Sequence, residues 1–191
     1  MKTVGVLALQ GSFREHLKLL GQIEGIHPIP VKNVQTLQQV DGIILPGGES
    51  TTQGKLLKDF SLLEPLKERI LSGLPVWGTC AGTILLAKQI AGDEPPHLGV
   101  MDITIRRNAY GGQLDSFIDE TIIPAVSAQK IPLVFIRAPW IDKTEDNVKV
   151  LASLNGKVIA AKQGQMLATS FHPELTYDLS FHQYFIDQII K

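Results

Sequence analysis

The single cysteine of the sequence lies in a pattern that is typical of an enzymatic nucleophile. Cys80 stands between Gly78 and Gly82 in the stretch GTCAG, directly after the apolar run LPVW. Where a strand turns sharply into a helix through small residues, the central side chain is raised at the carboxyl edge of the sheet. The helix N-terminus would stabilise a thiolate there, and the backbone N–H of Ala81 would point at a developing oxyanion. A buried structural cysteine would give the same local pattern, so the hypothesis needs a base elsewhere in the chain.

The best candidate for that base is His172, in the stretch TSFHPEL. Residues i and i+2 of an extended segment lie on the same side, so Glu174 would reach back toward the imidazole ring. Pro173 biases His172 toward an extended backbone and fixes the chain between the two side chains. This spacing predicts a base with its orienting carboxylate. The alternative is a simple helix start, with Glu174 favourable near the helix N-terminus.

A glycine loop and two arginine-bearing stretches are further candidates for ligand binding. The loop LPGGEST, residues 45–51, follows a buried apolar run, and its glycine pair could present backbone N–H groups to an anion. The Gly-Lys-Ser/Thr ending of a nucleotide-binding loop is absent, which argues against a nucleoside triphosphate. The stretches TIRRN and FIRAP each place an arginine in an apolar strand, and these two arginines would either face solvent or bind a substrate carboxylate.

The order of predicted elements would bring these stretches together. Strand-like and helix-like patterns alternate up to Pro95–Pro96, which predicts a parallel sheet with helices on both faces. Ser12 and Glu15 form a capping-box pattern at the first helix, and a later helix is predicted over residues 81–92. After the prolines, short strands and hairpins are predicted, with the clearest turn at Asn155–Gly156. The last segment is an amphipathic helix with Phe181, Phe185 and Ile189 on one face.

Composition narrows the class of protein. The 191 residues are 44% hydrophobic, which excludes a disordered chain, and no internal repeat or linker divides them, so a single domain over residues 1–191 is expected. Eighteen basic and nineteen acidic residues give a net charge of −1, which argues against a nucleic-acid groove. One cysteine cannot form an internal disulfide, and neither a signal peptide nor a membrane span is predicted. A cytoplasmic location is therefore expected.

Seven short stretches taken together resemble one family. They are LALQGSFREH, LPGGEST, GTCAG, RRNAYG, FIRAP, AAKQGQ and SFHPEL. GTCAG is shared by several amidotransferases, whereas LQG, PGGEST and FIRAP in combination are more specific. The sequence is similar to the glutaminase-subunit family of pyridoxal 5′-phosphate synthase, a branch of the class I glutamine amidotransferases, over nearly its whole length.

The resemblance implies a fold and a set of roles. The implied fold is an α/β, open three-layer, mostly parallel sheet flanked by helices, flavodoxin-like, with antiparallel hairpins in the C-terminal half. The implied activity is hydrolysis of L-glutamine to L-glutamate and ammonia. The implied residues are a Cys80, His172 and Glu174 triad, an oxyanion hole at Gly48 and Ala81, and glutamine contacts at Gly47, Gly48, Glu49, Arg107, Ile136 and Arg137.

The resemblance also implies a partner. It is a (β/α)8-barrel synthase subunit that uses the released ammonia to build vitamin B6 within a large hetero-oligomer. No metal or organic cofactor is implied for this half-reaction, because pyridoxal phosphate is the product of the pathway. Two positions depart from the family pattern: relatives commonly carry arginine at the position of Gly112, and Gly54 weakens a segment that is typically helical.

Three alternatives remain open at the level of sequence. PfpI-like hydrolases also carry a cysteine elbow, but they usually place a histidine next to the nucleophile, where this chain has Thr79 and Ala81. The glutaminase of histidine biosynthesis is closer, although its glycine loop and elbow differ. A non-catalytic regulatory module with the same fold is the third, and the presence of Cys80, His172 and Glu174 argues against it.

Overall fold

The molecule is built on a large twisted sheet. A computed structural model describes residues 1–92, 94–107 and 116–190. Its ten-stranded sheet has the order β2-β1-β3-β4-β12-β11-β9-β6-β5, with β10 added beside β11. The first five strands in that order are parallel, and β6, β9, β10, β11 and β12 pair antiparallel where they adjoin one another. The strands β7 and β8 form a separate antiparallel hairpin.

The strands are short, and the most buried of them are the central parallel ones. Their bounds are β1 (Lys2–Leu7), β2 (Ile26–Val31), β3 (Gly42–Leu45), β4 (Val76–Thr79), β5 (Ala87–Ile90), β6 (Met101–Arg106), β7 (Ser116–Ile122), β8 (Lys130–Ile136), β9 (Trp140–Thr144), β10 (Lys149–Leu154), β11 (Lys157–Gln163) and β12 (Met166–Thr169).

Helices cover both faces of this sheet. Their bounds are α1 (Phe13–Leu20), α2 (Val34–Leu37), α3 (Ser50–Asp59), α4 (Leu63–Leu71), α5 (Ala81–Leu86) and α6 (Ser180–Tyr184). A 3₁₀ turn covers Pro173–Leu175, and a π-helical segment, Phe185–Ile190, continues α6. Among the described residues, none of the helices is long and apolar enough to cross a lipid bilayer.

The alternation of side chains along the central strands explains the three layers. In β3, Ile43 and Leu45 belong to one apolar cluster while Ile44 belongs to the other. Because successive strand residues point to opposite faces, a fully apolar strand needs cover on both sides. Helices α3, α4 and α5 supply Leu57, Leu66 and Leu85 to the first cluster, among others. Helices α1 and α6 contribute to the second, and the three-layer α/β prediction is confirmed.

The parallel strands bring the candidate residues to one edge. Numbered in chain order, the five parallel strands follow the order 2-1-3-4-5 that is typical of flavodoxin-like sheets. Ligands of such sheets bind outside the carboxyl ends of the strands. Here the segments that leave β1, β3, β4 and β12 carry Gln10, Glu49, Cys80 and His172 in turn.

The C-terminal half confirms two local predictions. Asn155 and Gly156 have φ values of 50° and 77°, which are the left-handed conformations that a tight type I′ hairpin turn requires. Along the last helical segment, Phe181, Phe185 and Ile189 are all buried, as the amphipathic pattern predicts. Gly112 lies outside the described residues.

The predicted helix over residues 81–92 is wrong in its second half. Helix α5 ends at Leu86, and Ala87–Ile90 form strand β5 beside β6. The carbonyls of Leu85 and Leu86 accept hydrogen bonds from the N–H groups of Leu98 and Val100, at 3.0 and 2.9 Å. Tertiary pairing therefore takes the carbonyl groups that a longer helix would use, and it overrides the local helical pattern.

The capping box predicted at Ser12 and Glu15 is also wrong. Ser12 precedes α1, but its side chain makes no capping bond in the described structure. Its hydroxyl donates instead to Glu174 Oε1 at 2.6 Å, and its backbone N–H donates to the carbonyl of Gly47 at 3.0 Å. A bond to a buried carboxylate is stronger than a bond to a backbone N–H that water could satisfy.

Gly54 has a packing role that the sequence did not indicate. It lies on the buried side of α3, and a Cβ atom there would overlap the imidazole ring of His97. The absence of a side chain at position 54 thus makes room for His97, which is half-buried against the helix. The family departure at this position therefore leaves α3 intact.

Gly82 is the tightest backbone contact between α5 and the sheet. We expect Gly82→Ala to lower the free energy of unfolding by about 2–3 kcal/mol or more, because its Cβ would overlap the carbonyl oxygen of Leu45, a backbone group held in β3. Urea unfolding would measure this loss. Gly21→Ala is the matched control, since its Cβ would lie 3.4 Å from the nearest atom and should cost little. Equal unfolding midpoints for the two variants would contradict the prediction.

Candidate active site

Cys80 occupies a strained turn between β4 and α5. Its backbone has φ 47° and ψ −104°, a conformation that costs energy for any residue with a side chain. The backbone N–H of Cys80 donates to the carbonyl of Thr169 at 2.8 Å, and the hydroxyl of Thr83 lies 2.8 Å from the carbonyls of Gly78 and Thr169. A Cβ at Gly78 would meet the backbone of Gly82 at 2.5 Å. The turn is therefore held by its neighbours in the geometry of a nucleophile elbow.

His172 and Glu174 follow the end of β12, as the sequence predicts. His172 has φ −107° and ψ 85°, outside the extended region that the sequence predicts, and Glu174 lies in the 3₁₀ turn that follows it. The imidazole Nδ1 of His172 lies 2.6 Å from Glu174 Oε1, a distance typical of a charge-assisted hydrogen bond. The side chain of Glu174 is fully buried and that of His172 is 9% exposed. The pair therefore has the geometry of a base and its orienting carboxylate.

The electrostatics of the pair are dominated by burial and by the charges that offset it. Burial acts to lower the pKa of His172, but hydrogen bonds and negative charge from Cys80 and Glu174 raise it to about 10. Burial likewise acts to raise the pKa of Glu174, but the neighbouring His16 and His172 and a hydrogen bond from Ser12 lower it to about 2. The imidazolium form of His172 is therefore favoured between Cys80 and Glu174.

A cavity of about 450 Å³ opens directly above Cys80. It brings together eight of the ten predicted site residues, and it includes both groups assigned to the oxyanion hole. Its lining consists of Gly48, Glu49, Ser50, Cys80, Ala81, Ile84, Arg107, Ile136, Arg137 and His172.

The remaining predicted residues, Gly47 and Glu174, lie just behind the cavity wall. A Cβ at Gly47 would overlap the ring of His172, so only glycine allows the loop to approach the base this closely. Gln10 holds the other side of the loop, because its side-chain oxygen accepts the backbone N–H of Glu49 at 3.0 Å. The glycine loop is thus fixed between β1 and the base.

The charged groups at the mouth of the cavity are paired with one another. Arg107 lies 3.3 Å from Glu49 and 2.7 Å from Glu94. Glu49 is also the N-cap of α3, and although partial burial acts to raise its pKa, hydrogen bonds from Thr52 and Thr51 lower that pKa to about 2. The carboxylate of Glu49 is therefore ionised over the whole physiological range.

The wall formed by Ile136 and Arg137 faces the nucleophile through its backbone. The carbonyl of Ile136 lies 3.9 Å from the sulfur of Cys80 and accepts a weak hydrogen bond from it. Arg137 has φ 44°, a second strained non-glycine residue at the cavity. Such outliers concentrate at binding sites, and the role of the FIRAP stretch in binding stays a prediction.

Four residues near the site were missed as functional candidates. Ser12, His16, Gln10 and Glu94 all contact predicted site residues, yet the sequence offered a weak signal for only two of them. Ser12 and His16 are four residues apart at the start of α1, a spacing that places both side chains on one helix face. Among the described residues, no group of three or more histidine, cysteine or acidic side chains is arranged to hold a metal ion.

Comparison with known proteins defines the family. The model of the SNO glutamine amidotransferase family matches residues 6–191. The chain is 54% identical over 189 residues to the pyridoxal 5′-phosphate synthase subunit PdxT of Ruminiclostridium cellulolyticum, covering 99% of this chain and 100% of that protein. It is 57% identical over 183 residues to PdxT of Clostridium kluyveri, covering 96% of this chain and 97% of that protein. A crystal structure of a glutamine amidotransferase superimposes with a TM-score of 0.90 at 43% identity, covering 96% of this chain and 97% of that one.

The fold is that of a glutamine amidotransferase, the class that the sequence resemblance implied. Within that class, the chain belongs to the SNO glutamine amidotransferase family.

The ion pair of His172 and Glu174 makes a prediction about stability and pH. The raised pKa of His172 gives a stabilisation that is fully present below pH 6.5 and is lost as pH rises toward about 10. The lowered pKa of Glu174 gives a stabilisation of the fold that is fully present above pH 4.5 and is lost as pH falls toward about 2. We therefore expect Glu174→Gln to lower the free energy of unfolding by about 2 kcal/mol, with the largest loss between pH 4.5 and pH 6.5.

Urea unfolding of wild type and variant across pH measures this window. Glu24→Gln is the matched control, because Glu24 is exposed on the surface. A loss of stability that is the same at pH 3, 5.5 and 10 would contradict the assignment of the pair.

Proposed function

We propose that this chain is a glutaminase, acting as one domain, which hydrolyses L-glutamine to L-glutamate and ammonia through a thioester on Cys80. The observation that carries the proposal is the strained Cys80 elbow, which lies in a cavity beside a His172–Glu174 pair joined at 2.6 Å. Membership of an amidotransferase family supports the substrate class. The names of the PdxT relatives support a role in pyridoxal 5′-phosphate synthesis.

The charges at the cavity mouth suit the head of an α-amino acid. Arg107 would bind the α-carboxylate of glutamine, and Glu49, with its low pKa, would bind the α-ammonium group. The backbone of Ile136 and Arg137, with Gly47 and Gly48 opposite, would border the side chain of glutamine. This orientation directs the γ-carboxamide toward the sulfur of Cys80 at the base of the cavity.

The first chemical step forms the thioester. The Cys80 thiolate attacks the γ-carbonyl carbon, and the carbonyl oxygen becomes an oxyanion bound by the backbone N–H groups of Gly48 and Ala81. The imidazolium of His172 then donates its proton to the amide nitrogen as the tetrahedral intermediate collapses. Ammonia leaves, and a γ-glutamyl thioester remains on Cys80.

The second step restores the enzyme. The neutral His172 takes a proton from a water molecule, and the resulting hydroxide equivalent attacks the thioester carbon. The carbon–sulfur bond breaks, glutamate is released, and the thiolate–imidazolium pair forms again. Glu174 keeps the imidazole oriented in both steps. The chemistry requires no metal ion or organic cofactor.

The ammonia would pass to a partner. We propose a (β/α)8-barrel synthase subunit in a large cytoplasmic hetero-oligomer, in which the ammonia is incorporated into pyridoxal 5′-phosphate. The support is the name of the PdxT relatives, which describes each of them as a subunit of pyridoxal 5′-phosphate synthase.

Replacement of the nucleophile tests the proposal directly. With the synthase subunit present, Cys80→Ala should lower the rate of ammonia release from glutamine by at least about 10³-fold, because no thioester can form. Measurement of glutamate and ammonia together checks that hydrolysis is being followed. A variant that retained ammonia release would exclude Cys80 as the nucleophile.

Replacement of the base separates catalysis from binding. His172→Asn should lower kcat by at least about 10³-fold while leaving the Kd of glutamine within a few-fold of wild type, because the ring acts on protons and not on the amino-acid head. Calorimetry with glutamine gives the Kd, and the ammonia assay gives kcat. Loss of binding with an otherwise folded protein would instead assign His172 a structural role.

A further inference from the structure

The second oxygen of the catalytic carboxylate faces a buried histidine that the mechanism above does not use. Oε1 of Glu174 lies 2.6 Å from both His172 Nδ1 and Ser12 Oγ. Oε2 makes no hydrogen bond within the described residues, and the Nε2 atom of His16 lies 3.4 Å from it. Both side chains are fully buried, so no bulk water replaces that contact.

His16 is in turn held by a second buried histidine. Its Nδ1 atom lies 2.9 Å from Nε2 of His182, and its ring packs edge-on against Trp77 with centroids 5.7 Å apart. Thr79 Oγ1 lies 3.3 Å from His16 Nε2, on the same side as the carboxylate. His16, His182 and Glu174 thus form a connected line that leads from α6 through α1 to the catalytic pair.

The tautomers of both rings follow from their partners. Of the two arrangements of neutral rings, one places a bare lone pair of His16 Nε2 against a carboxylate oxygen. The same arrangement leaves a buried N–H at His182 Nδ1, an atom that has no partner in the described structure. The other places N–H on both Nε2 atoms, so that His182 donates to His16, and the N–H of His16 lies between Thr79 Oγ1 at 3.3 Å and Glu174 Oε2 at 3.4 Å. The second arrangement avoids both penalties and is therefore the stable one.

The charge states of His16 and His182 depend on their burial and on the charged groups around them. The groups facing His16 are Glu174, His172, His182 and, from its own helix, Glu15. Burial lowers the pKa of His16, although Glu174 acts in the opposite direction. Burial lowers the pKa of His182 well below its usual value, and His16 adds to that effect. Neutral rings of His16 and His182 can orient the carboxylate of Glu174 without cancelling its negative charge, which raises the pKa of His172.

We propose that His16, held by His182, is a positioning residue whose Nε2–H faces Glu174 Oε2 and fixes the carboxylate so that Oε1 stays aligned with His172. Ser12 and His16, one helical turn apart on α1, then hold the two carboxylate oxygens separately. The proposal rests on the proposed glutaminase function and deepens it, because it adds to Cys80, His172 and Glu174 a buried histidine pair that positions the carboxylate from behind.

The decisive experiment compares His16→Leu, His16→Gln and His182→Phe in the complex with the synthase subunit. Leucine removes the donor, glutamine keeps an amide N–H, and phenylalanine keeps the ring that packs 5.0 Å from Trp77 while removing the hydrogen bond to His16. His27→Gln is the matched control, because His27 is exposed on β2. Thermal unfolding of each variant shows whether it is folded.

We expect His16→Leu to lower kcat by about 10–100-fold with KM within about twofold of wild type, on the scale typical of groups that orient a catalytic side chain. The pH profile of kcat/KM should narrow from both sides, since a mobile Glu174 weakens the thiolate–imidazolium pair. His16→Gln should lie between His16→Leu and wild type, and His182→Phe should show a smaller narrowing. His27→Gln should match wild type.

An NMR titration of His172 gives a readout that does not depend on activity. Its pKa should fall in His16→Gln and His182→Phe, and it should not move in His27→Gln. Wild-type kcat, pH profile and His172 titration in folded His16→Gln and His182→Phe would overturn the proposal, whether or not His16→Leu folds. A wild-type complex without glutaminase activity would instead overturn the proposed function, while the titration would still decide the role of His16.

Discussion

The site depends on one close approach, that of helix α5 to the carboxyl ends of β3 and β4. Gly82 lies against the carbonyl of Leu45 with no space for a Cβ atom, and a Cβ atom at Gly78 would likewise overlap the backbone of Gly82. This contact forces the chain to turn at Cys80 with a positive φ, a strain that the hydrogen bonds of Thr83 and Thr169 stabilise. Because the hydroxyl of Thr83 ties α5 to the carbonyls of Gly78 and Thr169, the sulfur of Cys80 has a fixed position beside the base and the glycine loop.

A buried carboxylate links that fixed point to the rest of the molecule. Glu174 would be costly to bury as an isolated charge, and His172, Ser12 and His16 surround it with hydrogen-bonding groups. Ser12 also donates its backbone N–H to Gly47, so the start of α1 contacts both the catalytic carboxylate and the loop that would bind the oxyanion. A shift of α1 would therefore disturb base and loop together, which makes its position a structural requirement of the site.

The sequence predicts the parts of this arrangement that depend on strand ends. Cys80, His172 and the loop at Gly47 each follow an apolar run, and parallel strands bring such ends to one edge whatever the intervening helices do. What the sequence could not predict depends on packing between distant elements. Residues 87–90 have a helical pattern but pair with β6, and the hydroxyl of Ser12 binds Glu174 across 162 positions. In the sequence, His16 has the pattern of an ordinary helix residue, and its contact with His182 of α6 depends on the tertiary fold.

The mouth of the cavity shows how exchangeable contacts differ from fixed ones. Arg107 contacts Glu49 and Glu94, yet both carboxylates are about half exposed, so each pair is screened by water and contributes little to stability. A ligand carboxylate that reaches Arg107 would replace one such contact with another of the same chemistry, at small net cost. The pairing of His172 with Glu174 is buried instead, and breaking it would leave a charge without solvent. In the proposed mechanism, binding would therefore draw on the weak exposed pairs and catalysis on the strong buried one, because only the first can exchange without opening the fold.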